Sequence, residues 1–457
     1  MNSSYLSKEN LICKTSVVDE NIYIREQKGR FQRIRRYLSF TLMAIFILIP
    51  FIEYHGSQAV YFNLEQQRVS LFSLTLFPQD LLLLCLVFIF SAFLLFYITK
   101  IYGRIWCGFS CPQTIWMLLF NWVERRIEGS HNHSKYLNAQ KLNFNKLVKK
   151  LVKHCCWLII SLFTALVFIS YFVPVKELYI NFFTLESSSL VVSWVLFFMA
   201  CTYINAGWIR EKMCLHMCPY SRIQSAMFDK STKLVSYDFK RGESRGKRKR
   251  TQEKAAALGD CVDCNLCVQV CPVGIDIRDG LQYECINCGL CVDACDMTMD
   301  KFNYEKGLIS FTHEQAPKNR WKRHIVYGAI VSLSILSMLV WVLTWQSFEV
   351  NIIRDRQALY RVNHEGHIEN TYVFKIRNKS SETKTFKIAV ADLTHARIMG
   401  QAKVQVLPGD MKTSSVTVAV EQPLVDGRND IRFNIVDIVD NKQVIKNTSF
   451  YSGDGGW

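Results

Sequence analysis

Five long runs without a formal charge dominate this sequence: Tyr37–Ile52, Leu81–Ile98, Cys156–Val175, Leu190–Trp208 and His324–Trp345. In lipid every backbone N–H and C=O must find its partner within the chain, so runs of this kind fold as helices. The first is shorter than the roughly 20 residues a span needs, and would have to use its flanks or cross with little tilt. The basic residues lie beside these runs, at Arg30 to Arg36, Lys146 to Lys153, Arg245 to Arg250 and Lys318 to Arg323. That arrangement explains the net charge of +16 as membrane topology rather than nucleic-acid binding. Counting Lys and Arg places the N-terminal tail, residues 99–155 and residues 209–323 in the cytoplasm. Residues 53–80, 176–189 and 346–457 then lie outside. No cleavable signal precedes the first run. Thr114–Val123 is apolar but short, and is expected as an interfacial or re-entrant helix.

Eight of the 17 cysteines crowd into one segment in two copies of one spacing. The first copy is Cys261, Cys264, Cys267 and Cys271, followed by Pro272. The second is Cys285, Cys288, Cys291 and Cys295, followed by Asp296. This is the two-cluster ferredoxin pattern, in which the fourth Cys of each run ligates the other cluster. On that topology Cys261, Cys264, Cys267 and Cys295 hold one [4Fe–4S] cluster, and Cys285, Cys288, Cys291 and Cys271 the other. Structural zinc sites use well-separated Cys pairs and fit this spacing less well. A disulfide framework would not leave the chain after Cys295 without cysteine. Cys-x-x-Cys-His is absent, which excludes attached c-type haem, and no glycine-rich nucleotide fingerprint follows a predicted strand.

A second motif, Cys-x-x-x-Cys-Pro, occurs at Cys107–Pro112 and again at Cys214–Pro219. Each copy follows an even-numbered span, so the chain carries a weak internal repeat. Proline favours the first helical position, which puts Cys111 and Cys218 at helix N-caps, where thiol pKa values fall. With His216, Met213 and Met217 nearby, the second copy is a soft donor set suited to Cu(I). A redox dithiol and buried structural cysteines remain open readings. Cys85, Cys155, Cys156 and Cys201 read as packing residues, Cys13 as part of a tail, and His131 and His133 as solvated.

After Trp345 the pattern changes to alternation. Strands are expected at Thr371–Ile376, Thr385–Val390, Lys403–Val406, Ser415–Val420, Ile431–Ile435 and Gln443–Ser449, with turns at Pro408-Gly409-Asp410 and Asp426-Gly427. Short strands at this spacing suggest an immunoglobulin-like sandwich. The expected organisation is multi-domain: a cytoplasmic tail (1–36), a four-span membrane domain carrying both Cys-x-x-x-Cys-Pro motifs (37–230), a cytoplasmic basic loop and two-cluster ferredoxin domain (231–323), a fifth span (324–345) and a periplasmic all-β domain (346–457).

Several motifs together resemble the FixG/RdxA/CcoG family of cytochrome c oxidase accessory proteins. They are Leu76-Phe77-Pro78-Gln79-Asp80, Trp106–Thr114, Val123–Gly129, Asn205-Ala206-Gly207, Cys218-Pro219-Tyr220, Arg241–Gly246 and Gly274–Arg278. The resemblance runs in order over roughly residues 30 to 457, with Ser244 where the family has Pro. It implies an inner-membrane role in assembling the cbb-type oxidase, by reducing Cu(II) to Cu(I). On that expectation Cys107, Cys111, Cys214 and Cys218 meet copper, with His216 and Met217 as further candidates. The partners would be oxidase assembly factors, a copper chaperone or transporter, and a cytoplasmic electron donor. Two other readings are a quinol-linked subunit like the membrane ferredoxins of nitrate and nitrous oxide reduction, and a scaffold with sensory clusters.

Overall fold

The structure is a computed structural model, described over residues 22–54, 56–72, 74–250, 258–313, 320–355, 358–380, 382–391, 396–421 and 427–452. Cys13, Asp426 and part of the basic stretch before Arg320 fall outside them. Two compact units divide the chain. One runs to Pro50 and resumes over Leu84–Met338; the other joins Phe51–Leu83 to the chain from Leu339 onward.

Five helices are long and apolar enough to cross a membrane, over Arg30–Phe51, Leu81–Tyr102, Phe144–Ile169, Ser189–Ile209 and His324–Thr344. The third begins well before the expected Cys156 and ends before Val175. The helix continues through its basic start, where Lys150 and Lys153 are paired. Lys150 lies 2.7 Å from Glu128, and Lys153 lies 2.7 Å from Glu128 and 3.1 Å from Glu124. Ser134 also donates to Glu128 at 2.6 Å, and Arg210 reaches Glu124 at 2.8 Å. A polar cluster thus joins the end of one span to the helix Pro112–Glu128. That helix buries Ile115, Met117, Phe120 and Val123, of which Phe120 and Val123 pack against Trp157 and Ala206. At 17 residues it is short for a span.

The fourth span ends in a π-helical turn, Ile204–Ile209, and a second π turn, Met213–Met217, carries Cys214. Single π turns inside helical segments concentrate at functional sites, because the wider turn redirects side chains. Gly207 faces the Trp157 ring, and a Cβ there would lie 3.2 Å from it.

The cysteine-rich segment is bracketed by two antiparallel strands, Leu234–Tyr237 and Ile309–Thr312. Helices Leu266–Gln269 and Leu290–Phe302 begin inside the two Cys runs, the first carrying Cys267 and the second Cys291 and Cys295. The segment before the first span docks onto this domain. The Arg25 amide donates to the Gln269 carbonyl at 2.9 Å, and Asp293 accepts from the amides of Phe31 and Gln32 at 3.2 and 2.9 Å. Those two donors belong to the first turn of the span, so Asp293 serves as its cap from a distant part of the chain.

In the second unit two antiparallel sheets face each other. One has the order Ala396–Gly400, Met411–Val420, Ile368–Asn378, Phe348–Arg354, and the other Lys403–Val406, Lys384–Val390, Gly427–Asp437, Gln443–Ser452. Alternate residues of both sheets, among them Tyr372, Phe374, Phe386, Phe433 and Phe450, are fully buried. All six strand expectations hold, though two of the six strands extend beyond both expected ends and three beyond one. The strands at Phe348–Arg354 and Ala396–Gly400 were missed because the first abuts a span and the second has no alternation. The segment Phe51–Leu83 adds a three-stranded sheet to this unit. Asp80 pairs with Lys379 at 2.9 Å, and Arg377 lies 4.7 Å from the Phe77 ring centre.

Candidate redox and metal centre

The two Cys runs share one local turn. In the first, Asp263 and Asn265 on either side of Cys264 have positive φ of 49° and 54°. In the second, Asn287 and Gly289 on either side of Cys288 have 52° and 71°. Asn, Asp and Gly enter the left-handed region with least strain, and two such residues curl a loop tightly enough for successive thiols to face one centre. Gly289 has a further reason: a Cβ there would lie 2.7 Å from the Phe31 ring.

The thiols fall into two groups. Cys295 interacts electrostatically with Cys267, Cys261 and Cys264. Cys271 interacts with Cys288 and Cys285, and Cys291 with Cys288, Cys285, Cys271 and, least, Cys267 of the first group. The last Cys of each run therefore crosses to the other group. The second group and Cys267 line a cavity of about 360 Å³, closed by Val235, Val273, Ile275, Ile277 and Ile286. Among the described residues no three His, Cys, Asp or Glu side chains are arranged around a single metal ion, and every described Cys is free of disulfides. Four thiols around an apolar cavity, without single-ion spacing, fit an iron–sulfur cluster by donor chemistry. Burial pushes the Cys267, Cys271 and Cys295 thiols up to about 12 and Cys285 to about 11. Metal binding has to displace those protons.

The two Cys-x-x-x-Cys-Pro motifs lie near each other, although no three of their thiols are set around a single ion. Cys214 interacts with Cys111, Cys107 and Cys218, and Cys107 with Cys111 and Cys218. Cys111 is the N-cap of the helix Pro112–Glu128, and Cys218 directly precedes the helix Pro219–Ala226. Burial nevertheless raises the Cys111 thiol, outweighing the hydrogen bonds from the Thr114 and Gln113 amides. It also pushes Cys214 up to about 12. The expected lowering at a helix start is reversed at Cys111 because desolvation of the thiolate is the larger effect. His216 is exposed and Met217 is 60% exposed.

This quartet adjoins the ferredoxin segment. Gly108, inside the first motif, packs so closely that a Cβ would lie 2.6 Å from the Ile286 carbonyl and 3.0 Å from the Cys288 Cα. Cys107 shares an apolar cluster with Cys288, Ile286 and Val270. Two residues that spacing could not reveal complete the site. Gln224, 1% exposed, accepts from the Cys107 thiol at 3.0 Å. Arg104, 1% exposed, donates to the Tyr283 carbonyl at 2.6 Å and interacts with Cys107, Cys111, Cys214 and Cys285. Neither residue carries a signal in the sequence, where burial is not visible.

Apolar spanning helices, a cysteine-lined ferredoxin segment and a β-sandwich define a membrane iron–sulfur electron-transfer protein. Residues 209–314 match the 4Fe-4S dicluster domain, and residues 338–453 match the IG-like fold at the C-terminal of FixG. The chain is 32% identical over 448 residues to the nitrogen fixation protein FixG of Rhizobium meliloti, covering 88% of this chain and 84% of that one. It is 32% identical to protein RdxB of Cereibacter sphaeroides, covering 94% and 96%, and 35% identical to RdxA of the same organism, covering 81% and 82%. The crystal structure of a FixG-related protein from Vibrio parahaemolyticus aligns with 24% of this chain and 98% of its own, at 25% identity and a TM-score of 0.22. The chain belongs to the FixG/RdxA family.

Proposed function

We propose that this protein is a cupric reductase of the bacterial inner membrane, serving assembly of a cbb-type cytochrome c oxidase. The observation that carries the reading is the proximity of Cys107, Cys111, Cys214 and Cys218 beside Cys288. Cys261, Cys264, Cys267 and Cys295 hold one [4Fe–4S] cluster, and Cys285, Cys288, Cys291 and Cys271 a second. Bound clusters supply one-electron transfer. The ferredoxin segment lies in the cytoplasm and the sandwich in the periplasm, as the flanking basic residues require.

Copper is the substrate. Cu(II) takes one electron from a cytoplasmic donor and leaves as Cu(I). The thiol quartet prefers the soft product and so raises the potential of the copper couple. Its thiols release protons as copper binds. Gln224 orients Cys107, and Arg104 offsets the negative charge that develops on Cys107, Cys111 and Cys214. Cu(I) passes to a copper chaperone or transporter that feeds the oxidase. His216 and Met217 are placed by their exposure at an outer position, suited to relaying copper rather than enclosing it.

The test is anaerobic reduction of Cu(II) by purified protein, followed with a Cu(I)-specific chelator. C214A/C218A is expected to abolish reduction while iron content and cluster absorption stay unchanged. Wild-type reduction by that variant, with full iron content, would refute the copper site.

A further inference from the structure

The two thiol groups differ sharply in the charges around them. At the first group, Arg278 acts on Cys267 but is itself paired with carboxylates. It bonds to Asp276 at 2.6 to 3.1 Å, to Asp263 at 2.7 Å and to Asn265 at 2.6 Å. Asp276 also acts on Cys267, and Asp296 on Cys295. Three carboxylates therefore accompany one guanidinium. Cys264 of this group is exposed.

The second group lies beside two buried arginines, of which Arg104 also interacts with the Glu284 carboxylate. Arg35, 2% exposed, interacts with Cys288 and Cys271. Arg104, 1% exposed, interacts with Cys285. No ion pair joins either to a carboxylate among the described residues, and the Nε of each is buried without a hydrogen-bond partner there. Glu284 is the carboxylate that acts on this group, through Cys285. Arginine keeps its charge at any accessible pH, and in a low-dielectric interior that charge acts strongly on its neighbours.

Reduction adds one negative charge to a cluster. Net charge, hydrogen bonding and solvent exposure set the potential at which this happens. Buried positive charge raises it, and nearby carboxylates lower it. We infer that the chain imposes a one-way electron path: the cluster on Cys271, Cys285, Cys288 and Cys291 has the higher potential, and Arg35 and Arg104 raise it. The exposed group at Cys264 is then the entry point for a soluble, low-potential one-electron donor. The arginine-flanked group, against which Gly108 packs, is the exit toward the Cys107 quartet. Arg35 and Arg104 are positioning residues that act through the thiolates.

The inference rests on both groups holding clusters, and the experiment separates the two claims. Full-length protein, purified anaerobically in detergent, is titrated with dithionite under electron paramagnetic resonance. Iron content short of two clusters refutes the cofactor assignment and leaves the inference without a basis. With both clusters present, two separate midpoint potentials are expected. R35Q and R104Q each lower the higher midpoint and leave the lower one in place; R35K and R104K restore it. D276N frees Arg278 from one carboxylate and raises the lower midpoint, narrowing the gap. If R104Q fails to retain iron, R35Q and D276N still decide the matter. A single shared midpoint, or R35Q moving the lower signal instead, overturns the inference.

Discussion

Cys107 donates its thiol to Oε1 of Gln224 at 3.0 Å, which ties the first Cys-x-x-x-Cys-Pro motif to the helix that follows the second. Gln224 is held in turn by its own donation to Thr99 at 3.3 Å. The repeat that is separated by about a hundred residues in sequence is thereby closed into one site by a side chain belonging to neither motif. Partners that orient metal ligands typically contribute 10- to 100-fold in affinity. Q224L is expected to weaken Cu(I) binding by roughly that factor, measured by competition with a Cu(I) chelator, with iron content unchanged.

Gly108 meets the Ile286 carbonyl and Cys288 too closely for any side chain. G108A forces the Cys-x-x-x-Cys-Pro loop away from the second ferredoxin run. Overpacking of this kind costs about 1–3 kcal/mol. The expected result is a lowered unfolding temperature together with slowed copper reduction, and G108V should be worse on both measures.

The Glu128 carboxylate is fully buried. Burial alone would raise its pKa, but hydrogen bonds from Lys150, Lys153 and Ser134 hold it down at about 2, against an ordinary 4.5. A group depressed in the folded state adds stability that is complete above its unfolded pKa. That contribution, on the order of 3 kcal/mol, is lost as pH falls from about 4.5 toward 2. Thermal unfolding in detergent across this window should show a falling stability in the wild type. E128Q should be less stable at neutral pH and have a flatter acid limb.

In the sandwich, Lys384 lies 2.8 Å from Asp437, with both side chains almost wholly buried, and Asp440 also contacts the ammonium. Removing one partner of a buried pair typically costs 3–5 kcal/mol because the other charge stays buried. D437N should therefore lower the sandwich's resistance to proteolysis far more than K384M/D437L, which removes both charges. Equal damage from the two variants would count against the pairing as the cause.

Much of this arrangement could be read from residues alone. The five apolar runs, the alternating strands and the two Cys spacings each follow from a period that local chemistry imposes. Helix boundaries were less legible. The basic start after Phe144 is paired with Glu124 and Glu128, carboxylates on another helix whose pairing with the lysines no local pattern reveals. The candidate site was legible in its thiols but not in Gln224, Arg35 or Arg104, because a lone polar residue beside an apolar run carries no period. The thiol pKa expectation went astray at Cys111 for a similar reason: a helix start is visible in sequence, whereas the depth of its burial is not.

The hairpin-bearing segment Phe51–Leu83 belongs to the same compact unit as the chain beyond Leu339. Phe77 and Asp80 find Arg377 and Lys379 only after some three hundred more residues have been made. On the ribosome, this segment pairs its own strands early but must wait for the partners of Phe77 and Asp80 until the last domain is synthesised. The order of synthesis thus makes completion of the C-terminal domain a checkpoint on the whole chain, and a premature stop anywhere before Arg377 would strand the early segment as a target for quality-control proteolysis.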